Sequence, residues 1–344
     1  MIWLRRLFFI VVALTLAAAL SGVIYQFVAV NRERARYPAP GNLVDIGGYR
    51  LHIYCLGHGS PAVVLDSGLG DSFYSWRKVQ AQIAEFTQVC SYDRAGYGYS
   101  DHSPLPRRGP VFAEELGKLL VNSSVPPPYI LVGHSLGGAN IRIYASRNLS
   151  SVAGIVLVDS VHPDQWDRLP PAIWKIQQEQ GREAKKFEWE VLFGIPRLKR
   201  ECGSDPQEIV LNCTFESGRT WAAEIALVRE SIANAKPTGP FDSIPLTVLS
   251  HDPDKLIEEF PAELRRPVNI VWEQMQEELV HLSTQGKQTI AKNSSHYIQN
   301  DRPELVIDEV HKIVNTVRER SRATTIGHKL PLADDGYKVD PKSN

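Results

Sequence analysis

Gly133-His134-Ser135-Leu136-Gly137-Gly138 places a serine with a glycine two residues to either side. A serine on a tight strand-to-helix turn needs that spacing. A Cβ at either flank would strike the strand or the helix, and the strained turn lifts the hydroxyl clear of the sheet edge. The chemistry on offer is nucleophilic attack by Ser135, and the plain alternative is a glycine-rich turn with no catalytic part. A serine hydroxyl is a weak nucleophile until a base accepts its proton, so a histidine must follow later in the chain. Of the chain's ten histidines, four suit that task by position. His281 and His311 fall in helical patterns, and His251 crowds the acid candidates. His296, in Asn293-Ser294-Ser295-His296-Tyr297, falls in a loop between the last strand and the last helix and is the expected base.

A third residue must orient the imidazole and stabilise its charged form. Asp254, in Ser250-His251-Asp252-Pro253-Asp254, is the first choice. Asp159, in Val158-Asp159-Ser160, ends the preceding strand and competes with it, and Asp252 is third. Chain order does not separate neighbouring loops. An oxyanion hole needs two backbone N–H groups. Leu136, the residue after the nucleophile, offers one, and Leu69 in Asp66-Ser67-Gly68-Leu69-Gly70 is the candidate for the other.

The elements that must hold these residues are legible as β-rich runs at 62–65, 87–92, 129–132, 154–158, 246–249 and 288–291, several of them continuously apolar. Helical patterns at 76–85, 111–121, 136–147 and 268–283 alternate with them. That alternation predicts an α/β fold, a mostly parallel central sheet flanked by helices. A hairpin over 43–46 and 49–56 precedes it. Residues 162–241 carry no strand run and form an insertion. A final helix follows Asn300-Asp301, with Pro303 in its first turn and Val306, Val310, Ile313, Val314 and Val317 on one face. Residues 321–344 turn polar and are expected to be a disordered tail.

Residues 7–30 contain no charge and follow Arg5-Arg6. Such a helix is long enough to cross a hydrocarbon core of about 30 Å. A single-pass membrane anchor is expected, joined by a linker ending at residue 42. A cleaved signal peptide is the alternative, with Ala17 and Ala19 near an Ala-x-Ala pattern. Arg5 and Arg6 against Arg32, Arg34 and Arg36 leave the orientation balanced. With 38 Lys plus Arg against 39 Asp plus Glu, nothing draws the chain to nucleic acid. Four cysteines fit two disulfides in an oxidising compartment or, equally, buried thiols.

Over residues 43–320 the chain resembles the α/β-hydrolase superfamily. The resemblance is carried by Ser67-Gly68-Leu69-Gly70, the run Tyr92-Asp93-Arg94-Ala95-Gly96-Tyr97-Gly98-Tyr99-Ser100, Gly133 to Gly138, and Ser295-His296-Tyr297. It implies a serine hydrolase, esterase- or lipase-like, that acts on a small-molecule acyl substrate through acyl-Ser135 with no metal or organic cofactor. It also implies that the insertion is a helical lid. Trp166, Trp174, Trp189 and Trp221 there favour an apolar or aromatic substrate or, equally, pack the lid helices. The Asp93 to Ser100 turn is structural in the family. Ser67-Gly68 stands where many relatives have His-Gly, a departure in the oxyanion loop. Family strand order makes the second and fourth strands neighbours, which implies a Cys55 to Cys90 disulfide and, within the lid, Cys202 to Cys213. The catalytic domain is then expected on the exported side of the membrane. Haloalkane dehalogenases and epoxide hydrolases share the fold but use Asp as nucleophile. A serine peptidase, an acyltransferase or a non-catalytic membrane-bound binding module share the motifs.

Overall fold

A computed structural model describes residues 2–255 and 260–327, with side chains to residue 323. The apolar runs form eight strands: β1 (Asn42–Asp45), β2 (Arg50–Leu56), β3 (Ala62–Asp66), β4 (Val89–Tyr92), β5 (Tyr129–His134), β6 (Val152–Val158), β7 (Leu246–His251) and β8 (Gly286–Ala291). They make one sheet in the order β1-β2-β4-β3-β5-β6-β7-β8. The β1/β2 and β2/β4 pairs are antiparallel and the rest parallel. Strands β3, β4, β5 and β7 are buried along their whole length, as strands covered on both faces must be.

Strand periodicity divides the core in two. Val64, Leu131 and Leu157 point to one face, with Leu116 and Ile141. Val63, Val132 and Val156 point to the other, with Trp76 and Val310. The helices behind these contacts include α2 (Gln80–Ile83), α3 (Gly109–Asn122), α4 (Leu136–Arg147), α10 (Ala262–Val280), α11 (Ile298–Asp301) and α12 (Pro303–Gly327). The helix expected over 76–85 is broken into a 3-10 turn at Phe73–Trp76 and the single turn of α2. Helix α10 starts earlier than expected and runs through Pro267. All five expected apolar residues of α12 are buried. That helix continues to Gly327 rather than stopping at Arg320, so residues 321–327 of the expected tail are helical; the rest of that expected tail, from residue 328, lies outside the described residues.

Between β6 and β7 lie α5 (Gln165–Arg168), α6 (Pro171–Leu192), α7 (Ile195–Lys199), α8 (Pro206–Asn212) and α9 (Phe215–Ala233). Gly181 of α6 meets Ile225 of α9, and Gly218 of α9 meets Phe187 of α6, so these two helices pack antiparallel. A disulfide joins Cys202, before α8, to Cys213, after it, and Cys55–Cys90 joins directly opposed residues of β2 and β4.

The apolar N-terminal run is one helix, α1 (Ile2–Arg36), its most hydrophobic stretch wholly exposed. Its second half is not free. Gly22 approaches so near Phe193 that a Cβ there would sit 2.8 Å from the Phe193 carbonyl oxygen. One turn on, Gln26 is buried: it donates to the Cys213 carbonyl at 2.7 Å and accepts from Arg197 Nε at 3.2 Å. Arg197 also pairs with Glu33. Gly22, Gln26 and Glu33 repeat at helical spacing, so one face of α1 lies along α6 to α8.

Candidate active site

Strand β5 runs directly into α4 through Ser135, whose φ of 52° and ψ of −118° place a non-glycine residue in strained backbone. The flanking glycines are needed sterically. A Cβ on Gly133 would lie 2.6 Å from Gly137, and one on Gly137 would lie 2.3 Å from the Asp66 carbonyl oxygen. The turn is pinned by Ser135 N–H donating to Val158 O at 3.0 Å and by Gly138 N–H donating to Ser135 O at 3.0 Å.

His296 lies in the loop between β8 and α11 and lines the same cavity as Ser135. Its carbonyl accepts a hydrogen bond from His134 Nε2 at 3.1 Å, and the two rings are 4.7 Å apart. Burial, with the His296 charge adding to it, pushes His134 down to about 3, so this ring is neutral and carries its proton on Nε2.

The acid that meets His296 is Asp159, with Nδ1 to Oδ2 at 2.6 Å. Asp159 follows β6 directly, at a φ of 42°, and is fully buried. Trp272 Nε1–H donates to it at 3.0 Å, and His251 approaches it with both its ring Nδ1, 3.0 Å from each oxygen, and its backbone N–H at 3.2 Å. Burial would raise this carboxyl, but the charges and hydrogen bonds of His251 and His296 outweigh it and hold the group far below the usual carboxylate range.

Asp254, the first choice from the sequence, does not reach His296. Its side chain is 90% exposed and stands 3.7 Å from Lys292. The reason is local. Strand β7 continues to His251, which fills the buried position beside Asp159, and the chain then turns outward with Asp254 N–H bonded to Asp252 Oδ1 at 3.1 Å. Asp252 does not reach the imidazole either. It accepts Asn293 N–H at 2.7 Å and Lys292 Nζ at 3.2 Å, which ties down the loop that carries His296.

Leu136 opens α4, so its N–H has no acceptor within the helix, and it lines the cavity together with Leu69. Arg94 organises the Leu69 loop. It donates to the Ser67 and Gly68 carbonyls at 2.7 Å each, and pairs with Asp66 at 3.1 Å and Glu224 of α9 at 3.0 Å, all buried. Across a trans peptide the C=O and the following N–H point opposite ways. With Gly68 O turned to Arg94, the Leu69 N–H points away from it. Arg94 thus fixes the loop that carries Leu69. Nothing in the pattern of the Asp93 to Ser100 turn says which carbonyls its arginine will find. Replacing Arg94 by Met strands two buried carboxylates, and we expect a loss of about 3–5 kcal/mol in urea unfolding together with lost activity.

The cavity holds about 290 Å³ and is closed over by α5, α6 and α9, with Trp166, Ile173, Trp221 and Ile225 in its walls. Trp174 packs edge-on to Trp166 at 5.4 Å, whereas Trp189 is 65% exposed.

Residues 61–188 match the family model for the alpha/beta hydrolase fold. Uncharacterized protein YbdG of Bacillus subtilis is 30% identical over 165 residues, 47% of this chain and 51% of that protein, so the match spans about half of that relative's length. Among solved structures, an epoxide hydrolase, CorEH, superposes with a TM-score of 0.60 at 20% identity, covering 80% of this chain and 98% of that one. An enol-lactonase from Burkholderia xenovorans does so with 0.59 at 17% identity, covering 80% and 100%. With the strand order, the Ser135 turn and the helical insertion between β6 and β7, these matches show that the chain has the α/β-hydrolase fold.

Proposed function

We propose that this protein is a serine hydrolase that cleaves a carboxylic ester or similar acyl compound. The observation that carries the reading is His296, held at Nδ1 by Asp159 while lining the cavity that Ser135 also lines. With Nδ1 engaged, Nε2 is the nitrogen left to take the Ser135 proton. Oγ then bonds to the acyl carbon, the carbonyl electrons move onto oxygen facing the Leu69 and Leu136 amides, and the leaving alcohol departs with the proton from His296. Water repeats the sequence and frees the acid. Serine at the nucleophile position favours acyl chemistry over the aspartate-based opening of epoxides or haloalkanes. The apolar walls and modest volume suit a small apolar or aromatic acyl group.

The two disulfides support an exported, oxidising placement of this domain, and the exposed first half of α1 supports a single-pass membrane anchor. Fluorophosphonate labelling followed by an ester series of increasing acyl length tests the activity. We expect label on Ser135 and turnover that peaks at a short to medium chain. Absence of labelling in folded protein would instead favour a binding module, and faster cleavage of amides than of matched esters would favour a peptidase.

A further inference from the structure

His251 crowds the acid, and its surroundings give it more than a spectator's part. It ends β7 with its side chain 2% exposed. Nδ1 lies 3.0 Å from both oxygens of Asp159, and Nε2 lies 3.1 Å from Oδ1 of Asn269 in α10. The Asn269 amide cannot be turned over cheaply. Its Nδ2 donates to Pro253 O at 3.1 Å and leans on Lys255 O at 3.5 Å, so a reversed amide would press its oxygen against two carbonyls. Both ring nitrogens of His251 therefore face acceptors, and a ring in that setting must donate from both ends, as only the imidazolium does.

The groups around it from each packed element are consistent with a cation. Asp159 comes from β6. Asn269 and Glu273 come from α10, as does Trp272, which donates to the same carboxylate. His296 arrives from the loop after β8 on the far side of Asp159, and the Asp252 and Lys292 pair lies beyond. Burial alone would strip the second proton. The charge and hydrogen bond of Asp159, with Asn269 and Glu273, outweigh it and push His251 up to about 8.

We propose that His251 is a positively charged positioning residue that shares Asp159 with His296, so that the carboxylate is already matched before His296 takes up a proton. In a simple acid–imidazole pair, the imidazolium formed during attack meets an unmatched carboxylate. Here it meets a carboxylate that faces one cation already. His251 keeps its own proton throughout, while the proton of Ser135 moves to His296 and on to the leaving group. The consequence is that removal of the His251 charge should shift the acid limb of the activity profile. This proposal rests on the hydrolase reading for its consequence, not for the charge itself.

The test has two readouts on the full chain. In isotope-labelled histidine NMR, with His251→Gln used for assignment, we expect both ring nitrogens of His251 to be protonated at neutral pH. A neutral tautomer persisting below pH 6.5, the ordinary value for the ring, would overturn the proposal whether or not any ester is cleaved. In the pH profile of kcat/KM, His251→Gln should move the acid limb upward by about one pH unit or more. Asn269→Leu, which removes the second acceptor without touching Asp159, should move it the same way. A uniform fall in rate with an unmoved acid limb in both variants would leave His251 a packing residue and sink the idea.

Discussion

Replacing Ser135 by alanine is expected to lower turnover by about 10⁶ on whichever ester proves best, with the fold intact. The size follows from what is removed. In the proposed reaction Oγ bonds to the acyl carbon, and without it only the amides of Leu69 and Leu136 and the cavity walls would remain to assist water, a residue of about 10³–10⁴ over the uncatalysed rate. Thermal unfolding should move little. The hydrogen bonds that pin this turn are backbone bonds to Val158 and from Gly138, which an alanine keeps, and the φ of 52° is strained for either side chain. Activity retained in the purified variant would end the acyl-serine proposal.

The second large effect separates two aspartates. Asp159→Asn should cost about 10⁴ in turnover, while Asp254→Ala should stay within about twofold of the unchanged enzyme. An asparagine presents an N–H where His296 Nδ1 needs an acceptor, which selects the wrong tautomer of the base. It also leaves the other donors aimed at that spot, the Trp272 indole and His251, short of acceptors. Asp254 is a solvated side chain near Lys292 and its loss removes a surface contact. The measurement is kcat for both variants alongside their denaturation midpoints. A large loss at Asp254 with little at Asp159 would make Asp254 the acid and undo the assignment drawn from the geometry above.

Why that choice was illegible before the fold is instructive. Strands β6 and β7 are parallel neighbours in register, Val158 beside Leu249, so the loops after both open at one edge and either can deliver a carboxylate. The decision was made by side-chain competition: His251 took the interior position, and the chain turned Asp254 outward. Patterns of residue type do carry what depends on local rules, such as the glycines about Ser135, the buried strands and the apolar face of α12. Strand order borrowed from related folds carried the cysteine pairing, since it sets β2 beside β4. What such patterns lack is the partner of a polar group far along the chain. Arg94 reads as one member of a turn, yet its guanidinium joins the Ser67-Gly68 loop to Glu224 of α9, 130 residues away. Gln26 reads as a blemish in an apolar run, yet it is bonded 187 residues downstream.

That last contact changes how the N-terminal helix should be handled at the bench. The uncharged stretch before Gly22, Leu7 to Ser21, rises about 22 Å at about 1.5 Å per residue, and only with Ile2 to Leu4 and the snorkelling side chains of Arg5 and Arg6 does the first half of α1 reach the about 30 Å of a bilayer's interior. The remainder acts as a splint for the roof of the cavity. Trimming the chain back to Asn31 to obtain a water-soluble preparation would strip Gln26 from Cys213 and leave that roof without its brace, whereas a cut just before Gly22 would retain it.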